Sequence, residues 1–200
     1  MIENKSFFYI LLFSYCVLFN PAKATAVAGF DEVGKLSGFS GVIVDGLEYN
    51  VVFREGTFDS IFNEGDDLDF STASGARNAA IEIFNLIHEP RFISFDLDPS
   101  RIHGIEELIF GAIIVPYQVI NSKDVNTVGF ANEGAAAGNR DSVFDAVGLR
   151  KLDTTLDPFS VYADWSNVPV PPSLFLMASS LLGLLGFSRK KIKVVSAIST

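Results

Sequence analysis

Two apolar segments close this chain at its ends, and only about 140 of its 200 residues lie between them to build a folded body. The first, residues 7–19, follows Lys5 and has the length of a signal-peptide core, short of the ~20 residues a membrane span needs. Ala24-Thr25-Ala26 then supplies the small-x-small pattern that signal peptidase accepts, which predicts cleavage before Val27, with Ala22-Lys23-Ala24 as the neighbouring alternative. The second, residues 174–187, carries no charge and includes Ser179, Ser180, Gly183 and Gly186, small residues common in membrane helices. It follows Val168-Pro169-Val170-Pro171 and precedes the basic stop Arg189, Lys190 and Lys191, so it predicts a transmembrane helix at about 172–188. The basic cluster puts the C-terminus inside and the body outside, the topology that the signal peptide demands.

This division gives a signal peptide at 1–26, an exported domain at 27–167, a sorting segment at 168–193 and a cytoplasmic tail at 194–200. Charge separates the same pieces. Residues 27–168 hold 9 Lys/Arg against 23 Asp/Glu, a net −14, whereas Arg189, Lys190, Lys191 and Lys193 make the tail +4. So acidic a body would be repelled by nucleic-acid phosphates and by anionic lipid. The single cysteine, Cys16, lies in the signal core, so the mature chain has no disulfide and no thiolate chemistry. Its core must hold by packing alone.

Hydrophobic periodicity in the body predicts an α+β fold, a single small domain with an antiparallel sheet and one main helix at about 72–89. The sheet is expected to start from a hairpin at 41–53, where Asp45-Gly46 is a favoured two-residue turn and Tyr49, Val51 and Phe53 share one strand face. Ser37-Gly38-Phe39-Ser40-Gly41 reads as a turn before that hairpin. Ala73, Ala76, Ala80, Ile83, Phe84 and Ile87 recur at helical steps after a capping Ser71 or Thr72, and Pro90 stops the run. Residues 92–97 and 108–115 read as strands, Pro116 as an edge position or a strand end, 132–139 as a loop, 141–147 as a brief helix and 161–165 as a last strand.

Candidate chemistry is sparse. His88 falls at the end of the predicted helix, where a cation meets the negative end of the dipole, and His103 falls in a polar loop. Both read as structural. No nucleophile elbow, Walker loop or dinucleotide fingerprint is present, and no catalytic or cofactor-binding residue emerges. The expectation is a non-enzymatic protein without a cofactor. Glu64, Asp66, Asp67 and Asp69 form a dense carboxylate cluster that could attract Ca²⁺, but the spacing is not that of an EF-hand, and a plain acidic loop is the default. Asp96 and Asp98 form a second carboxylate pair.

The order of Val168-Pro169-Val170-Pro171, an apolar stretch ending Leu181-Leu182-Gly183-Leu184-Leu185-Gly186, and Arg189-Lys190-Lys191 resembles the PEP-CTERM sorting domain of Gram-negative bacteria. The closest form is the variant whose motif reads Val-Pro-Leu-Pro. The likeness covers about 25 residues, lacks a glutamate between the prolines, and is followed by nine further residues after Lys191. It implies signal-peptidase export, then handling near the proline motif by an exosortase, a membrane cysteine transpeptidase. It also implies transit through or anchorage in the inner membrane, a final place at the cell surface, and extracellular polysaccharide or biofilm as the partner class. A second reading is a small secreted Ca²⁺- or glycan-binding domain kept as a C-terminally anchored membrane protein.

Overall fold

The computed structural model describes residues 25–169 and Ser179. The predicted signal core, Ala24, Val170, Pro171, the basic stop and nearly all of the predicted transmembrane helix at 172–188 lie outside the described residues. Among the described residues no helix is long and apolar enough to cross a membrane.

Among the described residues there are seven strands: β1 (Val27–Phe30), β2 (Leu36–Val44), β3 (Leu47–Arg54), β4 (Phe110–Val119), β5 (Asp124–Glu133), β6 (Ser142–Leu149) and β7 (Ser160–Asn167). Three α-helices join them among the described residues: α1 (Phe58–Ile61), α2 (Ala73–Ile87) and α3 (Ile93–Asp96). All strands share one sheet in the order β1-β2-β3-β7-β4-β5-β6. Two antiparallel meanders, β1 to β3 and β4 to β6, are spliced by β7, which pairs antiparallel with β3 and parallel with β4. The expected α+β domain, an antiparallel sheet with a hairpin and one main helix, is therefore corrected. The sheet is mixed and seven-stranded, and α2 is accompanied by two shorter helices. The parallel pairing joins strands far apart in the chain, and local periodicity carries no trace of such a partner.

Three local expectations are corrected as well. Residues 92–97 form no strand. Phe92 and Phe95 are buried three residues apart while Ile93 and Leu97 face solvent, which is the burial pattern of one helical turn. Residues 141–147 form no helix but fall largely in β6, an edge strand paired only with β5. Of the two readings of Pro116 the strand end is set aside, because β4 continues to Val119. Pro116 sits beside a bulge and beyond Ile114, the last β4 residue paired with β7, both places where a strand tolerates a missing N–H.

The side-chain period of two sends alternate residues to two cores. On one face Val161, Ala163 and Trp165 of β7 join Ile113, Val115, Val128 and Phe130 under α2. On the other, Tyr162 and Val125 meet Phe58 and Phe62 around α1. Thr72 caps α2 by accepting the Gly75 N–H at 3.2 Å, and Ala76, Ala79, Ala80 and Ile83 form its buried face. Small alanines bring the helix close to the sheet, and Phe84 meets Phe130 edge-on at 5.6 Å. Burying each of Ile83 and Phe130 contributes roughly 1.5–3 kcal/mol.

The segment read as a turn before the hairpin is instead the body of β2. Asp45 and Gly46 both have positive φ, as a two-residue hairpin turn requires, and the pairing slips by a bulge between Phe39 and Val42. At Gly38, with φ +148°, a Cβ would lie 2.0 Å from the Val51 carbonyl oxygen of β3. Gly38→Ala is therefore expected to destabilise the domain by ~2–4 kcal/mol in urea unfolding.

Candidate functional site

The acidic loop of residues 64–69 follows α1. Glu64 adopts a left-handed conformation, and its carbonyl oxygen accepts from the Arg150 guanidinium at 3.3 Å. Arg150 also pairs with Asp59 of α1, so this anchor ties the loop to the end of the sheet. Asp66, Asp67 and Asp69 line an open depression with Asp164 and Trp165 of β7, and Glu64 lies outside it. Partial desolvation pushes Asp69 up to about 6, with the Asp164 and Asp67 charges adding and the Asn167 N–H opposing. Asp164 is also raised by desolvation, against the pull of Arg54 at 2.8 Å. The four predicted residues do not bring three ligand atoms together; among the described residues another cluster does that.

His103, the loop histidine, is fully engaged. Its Nδ1 lies 2.9 Å from Asp31 Oδ2 and its Nε2 3.6 Å from Glu55 Oε2. The hydrogen bond with His103 is the main reason the Asp31 carboxyl is held below its ordinary range. This contact near the surface ties the β1–β2 turn to the segment after α3. Its carboxylates have partners.

His88 is different. It caps the C-terminal end of α2, and its ring stacks on Phe84 at 4.2 Å. Its Nδ1 lies 2.8 Å from the Phe84 carbonyl oxygen. A carbonyl only accepts, so Nδ1 carries the hydrogen and Nε2 faces the other way. There it meets Asp96 Oδ1 at 3.3 Å and Asp141 Oδ2 at 3.4 Å. Asp96 ends α3 with 0% of its surface exposed, and neither of its oxygens has a hydrogen-bond partner. Asp141 precedes β6; its Oδ1 accepts the Glu133 N–H at 2.7 Å, and its Oδ2 is bare. Desolvation, reinforced by the neighbouring Asp96, pushes the Asp141 carboxyl up to about 7 against the Glu133 N–H and His88. The Asn132 amide, donating to the Phe95 carbonyl at 2.8 Å, pins the turn that carries Asp96.

The three ligand atoms lie within 4.8 Å of one another. Two carboxylates and one imidazole around a buried point demand a positive charge, whether a proton or a metal ion. Sequence reasoning favours a structural helix end for His88, puts Asp96 within a strand at 92–97 and gives Asp141 no site role. These residues are eight and 45 positions apart, a spacing that matches no local ligand motif. The only available signal was that His88 and Asp96 flank a short segment interrupted by Pro90. Comparison with protein-family models, curated proteins and solved structures gives no match, so the site is read from its own geometry.

The acidic depression makes a pH prediction. Asp69 titrates near 6 when folded and near 3.8 when unfolded. Below about pH 4 both states are protonated and nothing is lost. Between about pH 4 and 6 the unfolded chain ionises first, so stability falls as pH rises, and above 6 the penalty is complete. Asp69→Asn should therefore stabilise the domain at pH 8, by on the order of 1 kcal/mol after solvent screening, and leave it unchanged at pH 4. Urea melts at the two pH values read the difference.

Proposed function

We propose that this chain is an exported, non-enzymatic surface or matrix protein, delivered through a signal peptide and a C-terminal sorting segment that resembles PEP-CTERM. The observation that carries this reading is the fit between the folded domain and the sequence signals. β1 begins at Val27, directly after Ala24-Thr25-Ala26, and β7 ends at Asn167, directly before Val168-Pro169. The compact unit likewise divides from the rest of the chain between Asn167 and Val168. Processing at either signal would leave every strand intact. Signal peptidase and an exosortase-like transpeptidase are the proposed processing partners, with the inner membrane in transit and extracellular polysaccharide at the destination. The net −14 of the body supports solubility outside the cell and argues against nucleic acid.

Ala26 refines the N-terminal end. It is buried in the main core, so a mature chain starting at Thr25, from the Ala22-Lys23-Ala24 site, keeps a packing contact that a start at Val27 loses.

Removing Val168–Thr200 should release the protein from the cell surface in fractionation, and unchanged retention would overturn the sorting claim. The intact mass of surface-extracted protein should correspond to a chain starting at Thr25 and ending near the proline motif.

A further inference from the structure

Among the described residues, Asp96 is the hardest to explain as a bare side chain. It is completely buried, and among the described residues its two oxygens find no N–H or hydroxyl donor; the neighbouring Asp141 carboxyl would donate only when protonated. Asp141 Oδ2, with its side chain only 2% exposed, points to the same place and is also bare. A buried carboxylate without a partner is among the costliest arrangements in a folded protein.

A proton on His88 answers this poorly. The Nδ1 hydrogen is committed to the Phe84 carbonyl, so only one hydrogen, on Nε2, would serve three bare oxygens. Charge-assisted N–H···O bonds close to ~2.7–2.9 Å, whereas Nε2 stands 3.3 and 3.4 Å from its two neighbours. Neither approach forms a directed hydrogen bond.

The same distances suit a metal. Ligands ~2.0–2.1 Å from a zinc ion at the tetrahedral angle lie ~3.3–3.4 Å from one another. Both Nε2–carboxylate edges have that length. The supporting contacts are those of a metal site too. A ligating histidine usually donates its other N–H to a carbonyl or carboxylate, and ligating carboxylates are themselves held by hydrogen bonds. Phe84 and the Glu133 N–H fill these roles. One imidazole and two carboxylates suit zinc or a neighbouring first-row ion, whereas Ca²⁺ takes six to eight oxygens. The His88 side chain is 31% exposed, so the site lies near the surface and an ion need not cross the core to reach it.

We propose that His88 Nε2, Asp96 and Asp141 Oδ2 bind one divalent first-row cation, zinc by their geometry, and that this ion clamps the ends of α2 and α3 to the start of β6. The clamp joins three segments that no disulfide can join, because the only cysteine of the chain is Cys16.

The test uses the full-length chain in detergent, stripped with chelator and titrated with zinc chloride. One equivalent should bind, and the melting temperature should rise by on the order of 5 °C at about a hundredfold excess over Kd. Calcium chloride at the same concentration should do neither. Asp96→Asn keeps the side-chain shape and removes the buried charge, so the stripped variant should melt no lower than the parent while losing the zinc response. His88→Gln provides a second loss of response should Asp96→Asn fail to fold. The clamp is overturned if zinc does not bind saturably, if both variants keep the response, or if calcium matches zinc. It is also overturned if stripped Asp96→Asn melts lower than a parent indifferent to zinc, the result expected of a proton bridge.

Discussion

β7 holds this structure together. Without its antiparallel pairing to β3 and its parallel pairing to β4, the chain is two separate three-stranded meanders. β7 also supplies Val161, Ala163 and Trp165 to one core and Tyr162 to the other, so the two faces close together. Trp165 packs edge-on against Tyr49 and Phe70 from distant parts of the chain. Such long-range pairing carries a large loop-closure cost and folds slowly compared with local contacts. The strand that completes the sheet is the last one in the domain. In an exported chain that order delays full folding until residue 167 has emerged, immediately before the proposed sorting segment.

The acidic character of the body resolves into three different physical situations. Asp31 and Glu55 flank His103 near the surface, and each has one of its ring nitrogens as a neighbour. Asp66, Asp67, Asp69 and Asp164 crowd around an open depression, where water absorbs most of their repulsion. Asp96 and Asp141 are withdrawn from water, and beyond the Glu133 N–H on Asp141 Oδ1 they face His88. Charge density along the chain points to the second group; burial singles out the third. A dense acidic run is what exposure permits, whereas a buried carboxylate pair with three bare oxygens needs a compensating charge.

Much of the local structure was legible from residue order. Asp45-Gly46 specifies its turn because both residues accept positive φ, and Thr72 specifies the start of α2 because its hydroxyl takes an orphaned N–H. Residues 92–97 and 141–147 were misread for opposite reasons. The first is a short apolar run whose period is ambiguous over six residues. The second is an edge strand, paired on one side and largely solvated, with little apolar contrast to mark it. The candidate site was illegible because its members come from a helix end, a one-turn helix and the start of a strand.

By itself the sequence determined the chain's apolar ends, its charge division, the absence of thiol chemistry from the body, and the elements built by contacts within a few residues. Those properties depend on composition and on neighbours already adjacent in the chain. Only the tertiary structure decided that β7 lies between β3 and β4, and that His88, Asp96 and Asp141 share one buried point. Strand partnership and burial arise from contacts between segments far apart in the chain, and a carboxylate's need for a cation depends on whether water can reach it.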